Sequence, residues 1–170
     1  TQNDLLTTLR MCDAHRFIGN FDRPNIFYQV EESLGNEKKR LLNFIHEYLD
    51  GASGVVYCGT KKRVDMFAAW LSEQGVNAVP YHAGMSHKDR DRNLERFLQS
   101  TNIVAVATVA FGMGIDKADV RFVAHMNLPK NIEAYYQETG RAGRDGLPSH
   151  AFMYYSLADM IQLRHWITVS

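Results

Sequence analysis

Ile103-Val104-Ala105-Val106-Ala107-Thr108-Val109-Ala110-Phe111-Gly112-Met113-Gly114-Ile115-Asp116 is the stretch on which the fold turns. Its first five residues are apolar without a polar interruption, the pattern of a strand covered on both faces. The run enters Thr108 and then a loop with two glycines and a carboxylate. A strand of this kind needs helices above and below it, as alternating β and α units supply.

The flanking sequence supplies those units. Val55-Val56-Tyr57-Cys58 is a second continuous apolar run, and Ile26–Val30, Ala78–Tyr81, Arg121–Met126 and Ala151–Tyr155 read as further strands. Helices are predicted between them. Glu37–Leu49 carries Leu41, Leu42, Ile45 and Leu49 on one face, and Lys61–Gln74 carries Val64, Phe67, Ala68 and Leu71. Ser86 and Asp89 form a capping box that opens a helix burying Leu94, Phe97 and Leu98. Asn131 is placed to cap a helix over Ile132–Thr139, and Ala158–Ile167 closes the pattern as a last helix. Leu5, Leu6 and Leu9 predict a short amphipathic helix over residues 2–12. Gly19 to Asn25 breaks the pattern and reads as a linker, with Arg23 drawn towards an extended backbone by Pro24. No internal repeat or low-complexity segment is present. The expectation is an α/β fold with a mostly parallel sheet and helices on both faces.

The composition narrows the function classes. With 19 basic and 19 acidic residues the net charge is zero, which argues against a uniformly basic nucleic-acid wrapper but permits a local phosphate-binding edge. Cys12 and Cys58 form no C-x-x-C pair, so neither a disulfide framework nor a zinc site is expected. No apolar run reaches membrane-spanning length, and Thr1-Gln2-Asn3-Asp4 does not open a signal peptide. A soluble, intracellular protein is expected, in cytoplasm, nucleoid or nucleus.

Open α/β sheets bind ligands beyond the carboxyl ends of their strands. Three such ends carry unusual chemistry here. Thr60 reads as the N-cap of a helix whose first turn holds Lys61, Lys62 and Arg63. Cations at that end oppose the helix dipole unless an anion sits among them; they are either solvated or part of an anion site. Tyr81-His82-Ala83-Gly84-Met85 ends a strand in small residues before a capped helix. His82 is either a satisfied structural histidine or a site residue, and no second ligand stands at metal spacing. Thr108 to Asp116 is the third end. Its Gly112-x-Gly114 pair lacks the third glycine of a dinucleotide fingerprint, because Lys117 stands there. Phe111 belongs either to the core or to this loop's site.

Gln137-Glu138-Thr139-Gly140-Arg141-Ala142-Gly143-Arg144-Asp145-Gly146 sets two arginines three residues apart among three glycines. Planar guanidinium forks suit phosphate oxygens, and glycines let a ligand approach the backbone. By itself such a segment also fits a solvated polar turn. The chain contains no G-x-x-x-x-G-K-[ST] to cradle a triphosphate and no adjacent carboxylate pair after an apolar strand to hold magnesium. Arginines directed at phosphate without a cradle imply that another domain supplies the nucleotide.

These motifs together resemble the RecQ DNA helicases. Ala105–Lys117 resembles their motif V and Tyr135–Gly146 their motif VI; Val56-Tyr57-Cys58 with Thr60-Lys61 looks like motif IV, and Tyr81–Gly84 like the segment after it. Phe21-Asp22-Arg23-Pro24-Asn25-Ile26 resembles the connection between the two RecA-like lobes of that family. The likeness spans essentially the whole chain in order. Gln137-Glu138 stands where DEAD-box RNA helicases begin the motif with histidine-arginine, and Lys61 where many RecQ relatives carry arginine.

The resemblance implies a RecA-like, three-layer fold of the P-loop NTPase type and the second motor lobe of an ATP-dependent 3′→5′ DNA helicase serving repair and recombination. Residues 1–18 would be the tail of the first lobe, 19–25 the inter-lobe linker and 26–170 the second lobe. It implies Arg144 as an arginine finger, Arg141 as a second nucleotide contact, and Gln137, Gly114 and Asp116 in ATP binding or coupling. Lys61, His82, Ala83, Gly84, Thr108 and Gly112 would lie along the DNA. ATP and Mg2+ would be held mainly by a first lobe that carries the P-loop, and the partners would be single-stranded and forked DNA and that lobe. A zinc subdomain and winged helix would follow in the sequence. The competing reading from another class is a non-catalytic RecA-like module that docks a partner or clamps nucleic acid; a self-sufficient dinucleotide enzyme is disfavoured by the incomplete glycine pattern.

Overall fold

The computed structural model describes residues 23–111 and 115–161. The helix expected over 2–12, most of the linker, Gly112 and Gly114 lie outside the described residues, and the expected last helix is described only as a helical segment at 157–161.

Six strands form one sheet: β1 (Ile26–Glu32), β2 (Ser53–Tyr57), β3 (Ala78–Tyr81), β4 (Ile103–Ala107), β5 (Val120–His125) and β6 (Ser149–Tyr155). Four helices lie between them: α1 (Glu37–Tyr48), α2 (Lys61–Glu73), α3 (His87–Gln99) and α4 (Ile132–Thr139). The strand order is β1-β6-β5-β2-β4-β3, and every pairing is parallel. Central strands β2 and β4 are buried at every residue, as their unbroken apolar runs require.

Alternate residues of the strands point into two separate cores. Val56, Val104, Val106, Phe122, Ala124 and Phe152 pack with Leu41, Phe44 and Ile45 of α1 and with Val64, Phe67 and Leu71 of α2. Val55, Tyr57, Ile103, Ala105, Ala107, Val123 and Ala151 face the other way, against Phe97 of α3, Phe111, Ile115 and Ala142. Three layers result, with the sheet in the middle. Gly54 admits this packing because the Phe122 ring occupies the space a side chain would need.

The expected caps are present. Thr60, Ser86 and Asn131 accept backbone N–H bonds from Arg63, Asp89 and Ala134. One face differs from expectation. On α3, Leu98 is 42% exposed while Asn93 is buried with Phe97, and Leu94 is half-buried. The helix is rotated so that the Asn93 side-chain amide donates to the Pro80 carbonyl at 2.9 Å, satisfying the backbone of β3 at the sheet's end. Position 93 shares a stripe with 97, whereas 98 is turned about 100° from it. No helix among the described residues is long and apolar enough to cross a membrane.

Candidate nucleic-acid and nucleotide interface

Because all strands are parallel, their carboxyl ends share one edge. The loops after β3, β4 and β2 are neighbours there. Lys61 lies against the β3–α3 loop: a Cβ at Gly84 would come within 3.1 Å of Lys61 Cδ and 3.1 Å of His82 Nδ1. The Thr108 amide donates to the Tyr81 carbonyl at 3.3 Å, joining the third loop to the second. Lys61, Lys62, Ala83 and Gly84 are exposed and Thr108 is half-buried.

The other polar groups of this edge are engaged internally. His82 is 6% exposed; its Nδ1 accepts from the Gly84 amide at 3.1 Å, which leaves Nε2 to donate to Asp65 at 2.9 Å. The ring therefore holds the backbone of the loop and offers no free nitrogen to a ligand. Arg63 turns away from the helix start, donating to Glu37 and to the Met126 carbonyl, each at 3.1 Å. Of the three cations in the first turn of α2, Lys61 and Lys62 remain available to an anion. Phe111 is 1% exposed and part of the core, while its carbonyl accepts from the Tyr57 hydroxyl at 2.9 Å.

The arginine segment occupies a different place from the three strand ends. Helix α4 returns along the sheet against the strand direction, so the turn after it comes back to the strand starts. The Gly143 amide donates to the carbonyl of Val120, the first residue of β5, at 2.8 Å. Gly143 adopts φ +59°, and a Cβ there would meet Asn25 Nδ2 and Ser149 Oγ at 2.5 Å. Glycine is required at that position on both counts. Two zones thus lie at opposite ends of β5, an upper one at the carboxyl ends of the strands and a lower one at the strand starts, joined by the β4–β5 connection and by α4.

At the lower zone Arg144 donates to Asp116 Oδ1 at 2.8 Å and to the Ile115 carbonyl at 3.3 Å. Arg121 fixes the turn from below, donating to Asp145 at 2.5 Å and to the Pro148 carbonyl at 3.1 Å. Burial pushes the Asp145 carboxyl up, but the Arg121 hydrogen bond and the Leu147 amide outweigh it and hold the group below its usual range. Arg141 is half-buried, and its Nε is enclosed without a hydrogen-bond partner. Burial drives the Tyr57 hydroxyl up to about 12, with the nearby Arg141 charge opposing the shift. Gln137 is exposed on α4.

Two features escaped the sequence reading. His125 ends β5 with Nε2 2.6 Å from Glu138 Oε2, both residues buried, its ring stacked on Tyr57 at 5.1 Å. This pair pins α4, and so the arginine turn, to the strand that joins the two zones. The only sequence sign of it is an ionisable residue directly after a buried apolar run. The second feature is Arg23, whose guanidinium donates to the carbonyls of Gly140, Ala142 and Gly143 at 3.0, 2.8 and 2.9 Å.

Arg141, half-buried beside Tyr57, and Arg144, held by an exposed carboxylate, set two planar guanidinium groups on one turn, a pairing suited to a polyanion. Among the described residues no three His, Cys, Asp or Glu side chains converge as a metal site. The two guanidinium groups of the turn fit the phosphates of a nucleotide.

Residues 36–146 match the family described as helicase conserved C-terminal domain. The chain is 47% identical over 164 residues to ATP-dependent DNA helicase RecQ of Haemophilus influenzae, covering 96% of this chain and 26% of that protein. It is 39% identical over 171 residues to the RecQ-like DNA helicase BLM of Xenopus laevis, covering 98% of this chain and 12% of that one. The chain therefore spans about a quarter or less of these relatives' length. Among solved structures, an RNA helicase from Chaetomium thermophilum bound to ADP superposes with a TM-score of 0.66 at 27% identity, over 90% of this chain and 38% of that one. The RecA-like α/β fold is shared.

Proposed function

Since the chain belongs to the helicase conserved C-terminal domain family and is a RecQ-type C-terminal helicase lobe, we propose that it is the second motor lobe of an ATP-dependent 3′→5′ DNA helicase. This lobe and a P-loop lobe of the same polypeptide close around ATP and Mg2+, and the cycle of closure and opening advances the protein along one strand. The observation that carries the reading is the Arg141–Arg144 turn, which sets two guanidinium groups three residues apart, the second held at the surface by Asp116 and the Ile115 carbonyl.

Bound in the cleft, the nucleotide supplies the phosphoanhydride whose hydrolysis drives the cycle. Arg144 leaves Asp116 on closure and meets the charge developing on the transferred phosphoryl group; arginine fingers in related reactions contribute about 10³ to 10⁵ in rate. Arg141 completes its hydrogen bonds on the same phosphates, and Gln137 faces the cleft from α4. Loss of these contacts after hydrolysis removes the differential binding that favours the closed state, and the lobes reopen.

The upper zone follows the DNA strand. Lys61 supplies charge, the exposed backbone at Ala83 and Gly84 and the Thr108 hydroxyl supply small polar contacts, and His82 keeps their loop in shape. Such contacts fix the position of a strand without reading its bases.

The test compares the purified chain with the full-length protein. The 170-residue chain is expected to show no appreciable ATP hydrolysis and only weak, salt-sensitive binding of a fluorescent single strand. Full-length protein is expected to hydrolyse ATP in response to DNA and to unwind a duplex with a 3′ overhang. Rapid DNA-stimulated hydrolysis by the isolated chain refutes the two-lobe reading.

A further inference from the structure

The three carbonyls that Arg23 contacts belong to the turn that carries both arginines of the nucleotide zone. Gly140 is the C-cap of α4, where the last carbonyls lack partners within the helix. A cation there is favoured by the helix dipole, and a planar fork satisfies several oxygens at once. Arg23 spans the turn from Gly140 to Gly143, bracketing Arg141 and ending one residue before Arg144. Asn25 adds to the clamp: its Nδ2 donates to the carbonyls of Gly143 at 2.9 Å and Leu147 at 3.0 Å, and its own carbonyl accepts from Ser149. Five contacts from two residues therefore hold one short turn from outside it. Those residues lie more than a hundred positions earlier in the chain, where β1 begins.

We propose that Arg23 is a positioning residue for nucleotide hydrolysis, setting the orientation of the Arg141–Arg144 turn from the segment that enters this lobe. The inference rests on the motor-lobe reading above. It adds that the entering segment has a mechanical role: any change in its path alters the pose of the turn through three hydrogen bonds. Arg23 touches neither nucleotide nor DNA and acts through the backbone of the turn.

The experiment uses full-length protein with Arg23→Ala, Arg23→Lys and Asn25→Ala, and with Arg144→Lys as a control in the same preparation. DNA-stimulated ATP hydrolysis gives kcat and KM, and nucleotide-free affinity for a fluorescent single strand is measured in parallel. Arg23→Ala is expected to lower kcat by about tenfold to a hundredfold, the scale of a small misplacement of a reacting group. KM for ATP and nucleotide-free DNA affinity should stay within about threefold, a split that general unfolding would not produce. Arg23→Lys, which keeps charge and most of the volume but cannot form the fork, should not restore kcat. Asn25→Ala should lower kcat in the same direction by a smaller factor.

Unchanged kcat in Arg23→Ala, recovery in Arg23→Lys, or a parallel fall in DNA affinity overturns the proposal. If Arg144→Lys abolishes hydrolysis while Arg23→Ala does not, the clamp fails and the nucleotide reading stands. If Arg144→Lys also leaves kcat unchanged, the nucleotide reading itself has failed.

Discussion

Arg144 donates to Asp116 across 2.8 Å, joining the arginine turn after α4 to the loop that precedes β5. The carboxylate is 85% exposed and the guanidinium 36%, so water screens the pair and its contribution to stability is small, about 0 to 1 kcal/mol. Its meaning is therefore positional. The arginine is held at the surface by a partner it can leave at little cost.

Replacing Arg144 by lysine in the full-length protein should lower kcat of DNA-stimulated hydrolysis by about a thousandfold or more, with a far smaller effect on ATP affinity. A point charge cannot reproduce the fork. Steady-state kinetics checks this, and an unchanged kcat removes Arg144 from the assignment.

Asp116→Asn should leave the melting temperature of the protein nearly unchanged while lowering kcat by about tenfold, because an exposed pair adds little stability but orients the guanidinium. Differential scanning fluorimetry and an ATPase assay on one preparation test both halves. A large drop in melting temperature with normal kcat would show the pair to be structural instead.

Gly143→Ala should destabilise the fold by about 2 kcal/mol or more. The left-handed backbone costs an L-residue about 1 to 2 kcal/mol, and the new methyl would press on Asn25, Ser149 and the Leu147 carbonyl. Gly51→Ala is the comparison: its φ is +65° but nothing lies within 4 Å, so only the backbone penalty applies. Urea unfolding of the two variants should rank them in that order.

Cys58 should resist thiol reagents in the native protein. The residue is 2% exposed, and burial pushes its thiol up to about 12, with the Arg63 charge only partly opposing the shift. In a Cys12→Ser variant, a disulfide reagent at pH 8 should react slowly until denaturant is added, then quickly. Rapid reaction of the folded variant contradicts the packing around β2.

Stability should decline as the solution is acidified below about pH 6.5, in part through His150. Its ring is stacked between Phe27 and Tyr48, and burial lowers its pKa from 6.5 while Glu47 opposes the shift. The unfolded chain takes up this proton near pH 6.5 and the folded chain only at lower pH, so unfolding binds protons and is favoured as pH falls through that window. His150→Phe keeps a stacked ring and removes the titration. Melting temperatures at pH 7 and pH 5 should differ less in that variant than in the parent.

Much of this molecule was legible before any coordinates. The apolar runs at Val55–Cys58 and Ile103–Ala107 marked the central strands, since a short unbroken apolar run is what a strand covered on both faces requires. Thr60, Ser86 and Asn131 announced helix starts because capping is a local bond within three residues. The face of α3 was misread at Leu98, because Asn93 is buried only to satisfy a carbonyl that the sheet brings to it. No helical periodicity encodes such a requirement. Arg23 read as a residue before proline in an inter-lobe linker, with no sign of its clamp, since its three acceptors lie about 120 positions away.

The sequence by itself determined the order of strands and helices, their caps, the motifs and the family they mark. Each of these rests on residue types at short spacing, where backbone sterics, side-chain period and local hydrogen bonds act. Only the tertiary structure decided that the motifs form two zones. One gathers Lys61, Gly84 and Thr108 on neighbouring strand ends; the other brings Arg144, Asp116, Arg23 and Gly143 together where β5 begins. That division follows from α4 running back against a wholly parallel sheet, a consequence of packing between segments remote in sequence. The same packing closed both nitrogens of His82 and left Arg141 with a buried donor and no partner.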